Sequence, residues 1–172
     1  MARESVRQAL ERMIAVRDSG EFERQFAEFM RRTDHSVRRV STDWFWLNTF
    51  NCYAYAFGLV GQPRYRLLYE RYRDSALLKS RFVSTLLSRG ELRPIPRQEA
   101  ASGAVVLYSR QGKITHAGLV ISDQLRIRSK FGPCELYEHG LREIPSDYGR
   151  GLRFYAAPDP GGVLDLLERI LP

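Results

Sequence analysis

Only two cysteines, Cys52 and Cys134, occur in 172 residues. That is too few for a disulfide scaffold, and their spacing fits no zinc motif. A Cys52–Cys134 bridge is conceivable, but a cytoplasmic origin argues against it. Histidine is equally scarce. His35, His116 and His139 stand far apart, so no metal site and no cofactor are expected. No apolar run approaches the roughly 18 residues that a membrane span requires. The segment Met1 to Gly20 is charged throughout and lacks the apolar stretch and small-residue cleavage site of a secretory signal. Synthesis in the cytoplasm is therefore expected, with export by a machine that reads no such signal left open. Lysine is rare too: Lys79, Lys113 and Lys130 stand against twenty-four arginines, within a net charge of +7. The basic residues are spread along the whole chain without the short block of a nucleic-acid tail, so most read as solvated surface and nucleic acid is a disfavoured partner.

What remains is the ordinary balance of a globular protein, 44% apolar and 27% charged residues, long enough for one domain with a core and a modest helical extension. Residues 3–17 and 20–31 read as two amphipathic helices, from Val6, Leu10, Met13 and Ile14 and then Phe22, Phe26 and Met30. Ser19 is the N-cap expected for the second. The pair either packs on the main domain or forms a partner-binding or autoinhibitory arm. Residues 33–50 form an irregular approach carrying Trp44, Phe45, Trp46 and Phe50. The run Asn51-Cys52-Tyr53-Ala54-Tyr55-Ala56-Phe57-Gly58 has alanines and aromatics on every side, the pattern of a buried helix. A helix over 64–89 follows, with Leu67, Leu68, Tyr72, Leu78, Phe82 and Leu86 as its stripe, and Pro94 and Pro96 mark a linker.

The hydrophobic period then changes. Strands are expected at 104–109, 114–122 and 125–130, the first two joined by a turn at Arg110-Gln111-Gly112-Lys113, with weaker strands near 135–139 and 152–156. A closing helix runs from Gly161. Helices first and antiparallel strands afterwards predict an α+β fold with helices on one side of a sheet.

Cys52 stands where a helix begins, directly after the capping residue Asn51. Unpaired N–H groups at a helix start favour thiolate, and the Cys52 backbone N–H can donate to an oxyanion. His116 lies in the strand-like stretch Ile114-Thr115-His116-Ala117-Gly118-Leu119-Val120, flanked by small residues that let another element approach. A strand holds an imidazole rigidly enough to serve a nucleophile as base. A lone cysteine is usually a small core hydrophobe, and a lone strand histidine is usually structural. The two gain weight together, as a cysteine on a helix start followed by a strand hairpin with a histidine on its second strand.

These residues resemble the papain-fold cysteine peptidases and amidases of the NlpC and CHAP type. The counterparts are Asn51-Cys52-Tyr53-Ala54-Tyr55-Ala56, Gly103-Ala104-Val105-Val106-Leu107-Tyr108 and His116-Ala117-Gly118-Leu119-Val120. Ser129-Lys130-Phe131-Gly132 and Pro145-x-x-Tyr148-Gly149 are similar to uncharacterised relatives of that group. The likeness covers roughly residues 43–157 and departs from the pattern at Ala104, where the family usually has Asp. It implies an α+β papain-like core with a Cys-bearing helix on an antiparallel sheet, here at 41–157, between a helical extension at 1–40 and a C-terminal helix at 158–172.

The resemblance further implies amide hydrolysis with Cys52 as nucleophile and His116 as base. Peptidoglycan peptide is the leading substrate. A secreted effector or toxin, which would face an inhibitor or immunity protein, or a lysin, reconciles that substrate with the missing signal. By alignment the third member of the site falls on Ser129 or Lys130. Ser129 is favoured because a hydroxyl can accept the imidazole N–H, whereas Lys130 has donors only, and His139 is the alternative. Asn51 is a second oxyanion donor or simply a cap. Trp44, Trp46, Tyr53 and Tyr55 line a groove or belong to the core. The Arg/Tyr run Arg64 to Arg73 either stacks on single strands or is the outer face of a helix. Two rivals stand beside the hydrolase: a papain-like protease or acyltransferase acting on proteins, and a non-catalytic basic module binding nucleic acid or a partner.

Overall fold

The computed structural model describes residues 4–16, 18–40, 47–132 and 135–172. Trp44, Phe45, Trp46 and Cys134, with the groove and disulfide expectations attached to them, lie outside the described residues.

The N-terminal region folds as two capped helices. In α1 (Val6–Ala15) a capping box closes the first turn: Ser5 accepts the Gln8 N–H and the Gln8 side chain returns to the Ser5 N–H. Ala9, Leu10 and Met13 make its buried stripe. Asp18, rather than the expected Ser19, caps α2 (Ser19–Met30), its carboxylate accepting the Glu21 N–H at 2.8 Å. The Cys-bearing helix α3 (Cys52–Ala56) starts at Asn51, whose side chain accepts the Ala54 N–H at 3.1 Å. It stops at Gly58, φ 69°, where Gly58 N–H meets Tyr55 O and Leu59 N–H meets Ala54 O. That pair of bonds is the glycine-terminated helix end.

The helix expected over 64–89 is two helices, α4 (Pro63–Tyr72) and α5 (Ser80–Ser88). The break falls at Arg73, φ 50°, and a 3-10 turn at Arg73–Ala76 follows it. The turn sends Ala76 and Leu78 inward, while Leu67, counted in the expected stripe, is 64% exposed. The chain closes with α6 (Pro160–Ile170), capped by Asp159.

Among the described residues, seven strands form one antiparallel sheet. They are β1 (Arg38–Arg39), β2 (Pro94–Ile95), β3 (Val105–Arg110), β4 (Lys113–Val120), β5 (Ile127–Lys130), β6 (Leu136–His139) and β7 (Gly151–Tyr155), in the order β1-β6-β5-β4-β3-β7-β2. The expected hairpin joins β3 to β4. Gln111 (φ 51°) and Gly112 (φ 78°) both adopt the left-handed conformation that a two-residue turn demands. The fold is thus α+β with an antiparallel sheet.

Helices lie on both faces of that sheet, a correction to the one-sided expectation. Along β3, Val105 and Leu107 join a core with α3, α4, α5 and α6, whereas Val106 and Tyr108 join a second core with α1 and α2. Successive strand residues point to opposite faces, so the two cores sandwich the sheet. The N-terminal helices are part of this packed body, and β1, directly after them, pairs with β6.

Candidate active site

Local sequence builds this site from three pieces: the start of α3, the middle of β4 and the end of β5. Cys52 is half-buried and packs against the first core. Burial pushes its thiol up to about 11; the backbone N–H groups of Ala117, Tyr53 and Cys52 itself, and the Lys130 ammonium, pull the other way. Burial wins, so the resting group at neutral pH is the thiol. The Ala117 N–H facing the sulfur belongs to the residue directly after His116, and Ala117 itself lies in the first core. The sulfur therefore reaches β4 at the His116–Ala117 peptide.

The His116 ring lies on the other side of the strand. In register it opposes Tyr108, and it is ringed by aromatics associated with the second core. Tyr148 stacks on it at 4.0 Å between centroids and 14° between planes, with Tyr108 tilted at 5.6 Å and Phe131 at 5.9 Å. The ring is 1% exposed and its Nε2 has no hydrogen-bond partner among the described residues. Burial, with His139 nearby adding to it, holds the imidazole well below its usual pKa, so it is neutral. Cys52 and His116 are thus brought to the same peptide, a neutral thiol and a neutral imidazole. Among the described residues the expected hydrogen bond between them is not formed: His116 Nε2 has no partner and the sulfur is met by backbone donors.

The third position divides by strand alternation. Ser129, the favoured candidate, shares His116's face but is bonded elsewhere: its hydroxyl is 2.8 Å from His139 Nε2. His139 Nδ1 faces the Gly140 carbonyl at 2.9 Å and must carry the ring proton there, so Nε2 accepts and Ser129 donates. The expected Ser129–His116 bond is replaced by this pair, in which both residues are fully buried. Lys130 turns to the Cys52 face with Leu136, its ammonium 5.5 Å from the Phe50 ring centroid. Among the described residues no side chain orients the His116 imidazole through Nε2.

Asn51 has both ends of its amide committed, Oδ1 to Ala54 N–H and Nδ2 to Leu78 O at 2.6 Å. These bonds make it the cap and a tie to the α4–α5 connection. Tyr53 is buried in the first core, and Tyr55 packs against that core with its hydroxyl bonded to Arg128. On α4, Tyr65 and Leu68 face inward. Arg64 pairs with Asp165 at 2.7 Å and Glu168 at 2.6 Å, and Arg66 with Glu70 at 2.8 Å, so these two arginines belong to an ion-paired outer face.

One contributor was not singled out for this role from sequence. Tyr148 sits in a 3-10 turn at Ser146–Tyr148, and only the short Pro145-x-x-Tyr148-Gly149 pattern marked it. Among the described residues no group of three or more His, Cys, Asp or Glu could hold a metal ion, and no helix is long and apolar enough to cross a membrane. No family model, curated protein or solved structure matches the chain.

Proposed function

We propose that this chain is a cysteine hydrolase on a papain-like core, cleaving an amide bond through Cys52 with His116 as base. The observation that carries the reading is the seat of the Cys52 sulfur. It lies at the start of a buried helix, against the N–H next to His116 and within the influence of Lys130. A helix-borne thiol against the His116–Ala117 peptide and a neutral imidazole carried by the same strand supply the two groups that acyl transfer requires, once the ring and the sulfur close on each other. Catalytic hydrogen bonds in unliganded enzymes are often long and tighten only with substrate, so a resting pair without one is compatible with the chemistry.

With the ring brought within hydrogen-bond reach of the sulfur, both groups being neutral at rest, the thiol proton moves to the imidazole as sulfur attacks the carbonyl. The imidazolium then protonates the departing amine, and water, deprotonated by the same ring, releases the acyl group. The Cys52 backbone N–H, at the start of α3, is the donor offered to the oxyanion. Peptidoglycan-like peptide is the leading substrate class. A protease or acyltransferase acting on proteins would share every step up to the acyl-enzyme.

Incubation with purified peptidoglycan and, separately, with a mixed peptide library should yield new termini by mass spectrometry. Cys52→Ala should abolish them with an unchanged melting curve, and Cys134→Ser should keep most of the activity. Products that persist in Cys52→Ala would end the reading. No acyl adduct on Cys52 with either substrate would favour a non-catalytic module.

A further inference from the structure

The His116 ring is placed by something other than a hydrogen bond to Nε2, and the structure shows what that is. Tyr148 covers one ring face at 4.0 Å and 14°, near parallel contact, while Phe131 and Tyr108 close the sides at an angle. Tyr148 is in turn tied at both ends: its hydroxyl accepts the Gly132 N–H at 2.8 Å and its carbonyl accepts the Thr115 hydroxyl at 2.6 Å. Thr115 is the residue before His116, so the stacking residue and the base are fastened to the same strand.

A third tie comes from far away in sequence. The Arg7 guanidinium of α1 donates to the carbonyls of Pro145, Ser146 and Gly149, wrapping the turn that presents Tyr148.

We infer that Tyr148 is a positioning residue for His116, fixing the imidazole plane by stacking, and that Arg7 holds Tyr148 there, so that α1 belongs to the working site. This rests on the reading of His116 as the base. Where other catalytic histidines are oriented by a carboxylate or amide, here the orientation comes from an aromatic face and from the turn behind it. Loss of that face lets the ring turn about its Cβ–Cγ bond without touching sulfur or imidazole chemically, and small misplacements of reacting groups cost rate steeply.

The test uses the full chain and iodoacetamide, with Cys52 adducts separated from those on Cys134 by peptide mass spectrometry between pH 6 and pH 9. His116→Ala should slow Cys52 labelling at pH 7 by roughly tenfold or more, the loss of base assistance. Tyr148→Leu should fall on the order of tenfold toward the same rate, while Tyr148→Phe, which keeps the stack, should label within about threefold of the parent, losing only one hydrogen bond. Arg7→Met, which removes no ring, should slow labelling severalfold.

The decisive comparison is additivity: in a His116→Ala background, Tyr148→Leu and Arg7→Met should have no further effect. Parent-like labelling of Tyr148→Leu and Arg7→Met beside a slow His116→Ala would overturn this inference and leave the base standing. A further loss in the His116→Ala background would also overturn it. Parent-like labelling of His116→Ala would instead remove the base itself, and the inference with it. Should Tyr148→Leu melt early, Arg7→Met and Tyr148→Phe decide.

Discussion

His139 and Ser129 form a hydrogen-bonded pair sealed from water, and the seal has a pH cost. Burial drives the His139 pKa from 6.5 down to about 4. Between those values the unfolded chain binds a proton that the native one refuses, so stability rises with pH across this window. Its contribution is complete above about pH 6.5 and is lost as pH falls toward 4. At pH 5 the loss from His139 alone is about 2 kcal/mol. His116, also held low by burial, adds a loss of the same sign. Glu138, held below its usual range by hydrogen bonding to Arg128, loses its contribution only at lower pH. Urea denaturation should therefore give a clearly lower midpoint at pH 5 than at pH 7.5, and His139→Gln should narrow the gap; coincident midpoints in the parent would remove buried histidine as the cause. At this scale the sequence was informative about Cys52, because Asn51 before it and small residues after it dictate a capped, buried helix. It pointed to Ser129 as the partner of His116, and that hydroxyl is bonded to His139 instead. Alternation says that Ser129 and Lys130 face opposite sides, but only the docked α3 says which side holds the sulfur.

Elements were legible where a local signal fixes them and illegible where packing does. The turn at Gln111-Gly112 and the stop at Gly58 follow from backbone conformations that few residues adopt. The break at Arg73 follows from Ala76 and Leu78 reaching the first core, which no periodicity records. Strands β1 and β2, two residues each, have no pattern to read; they exist because β6 and β7 present free edges. The turn carrying Tyr148 gives a test at this level. Gly149 has φ 85°, and a Cβ there would sit 2.1 Å from the Ser109 carbonyl oxygen. Gly90 has φ 75° with nothing within 4 Å of its would-be Cβ. Both carry left-handed strain on substitution, but only Gly149 collides with backbone. Gly90→Ala should cost about 1 kcal/mol and Gly149→Ala at least ~2–4 kcal/mol. In thermal denaturation, with about 2–4 °C per kcal/mol for a domain of this size, the two should separate clearly. Equal shifts would mean that the turn moves freely away from β3.

For the whole molecule, the question is why helices cover both faces of the sheet. An amphipathic stripe shows that a helix has an inner face, not which side of a sheet it meets, and chain order suggested one side. A signal for two sides was present in the run Ala104-Val105-Val106-Leu107-Tyr108, apolar at every position, which is how a strand buried on both faces reads. All five are buried. The second core exists only because α1 and α2 are there: Leu10 and Met13 are 0% and 1% exposed, and they roof Val106, Tyr108, Ile127 and Phe131. A detachable arm would leave that face closed without them. Leu10→Ala should therefore destabilise the whole chain by about 2–5 kcal/mol, the cost of a cavity in a packed core. Deletion through Arg32 should expose enough apolar surface to bind a hydrophobic dye and lose cooperative melting. The same deletion removes Arg7, so any folded remnant should also label slowly at Cys52. A truncated chain that melts as sharply as the parent, stays dark with the dye and labels at the parent rate would make the N-terminal helices an appendage and return the sheet to a single covered face.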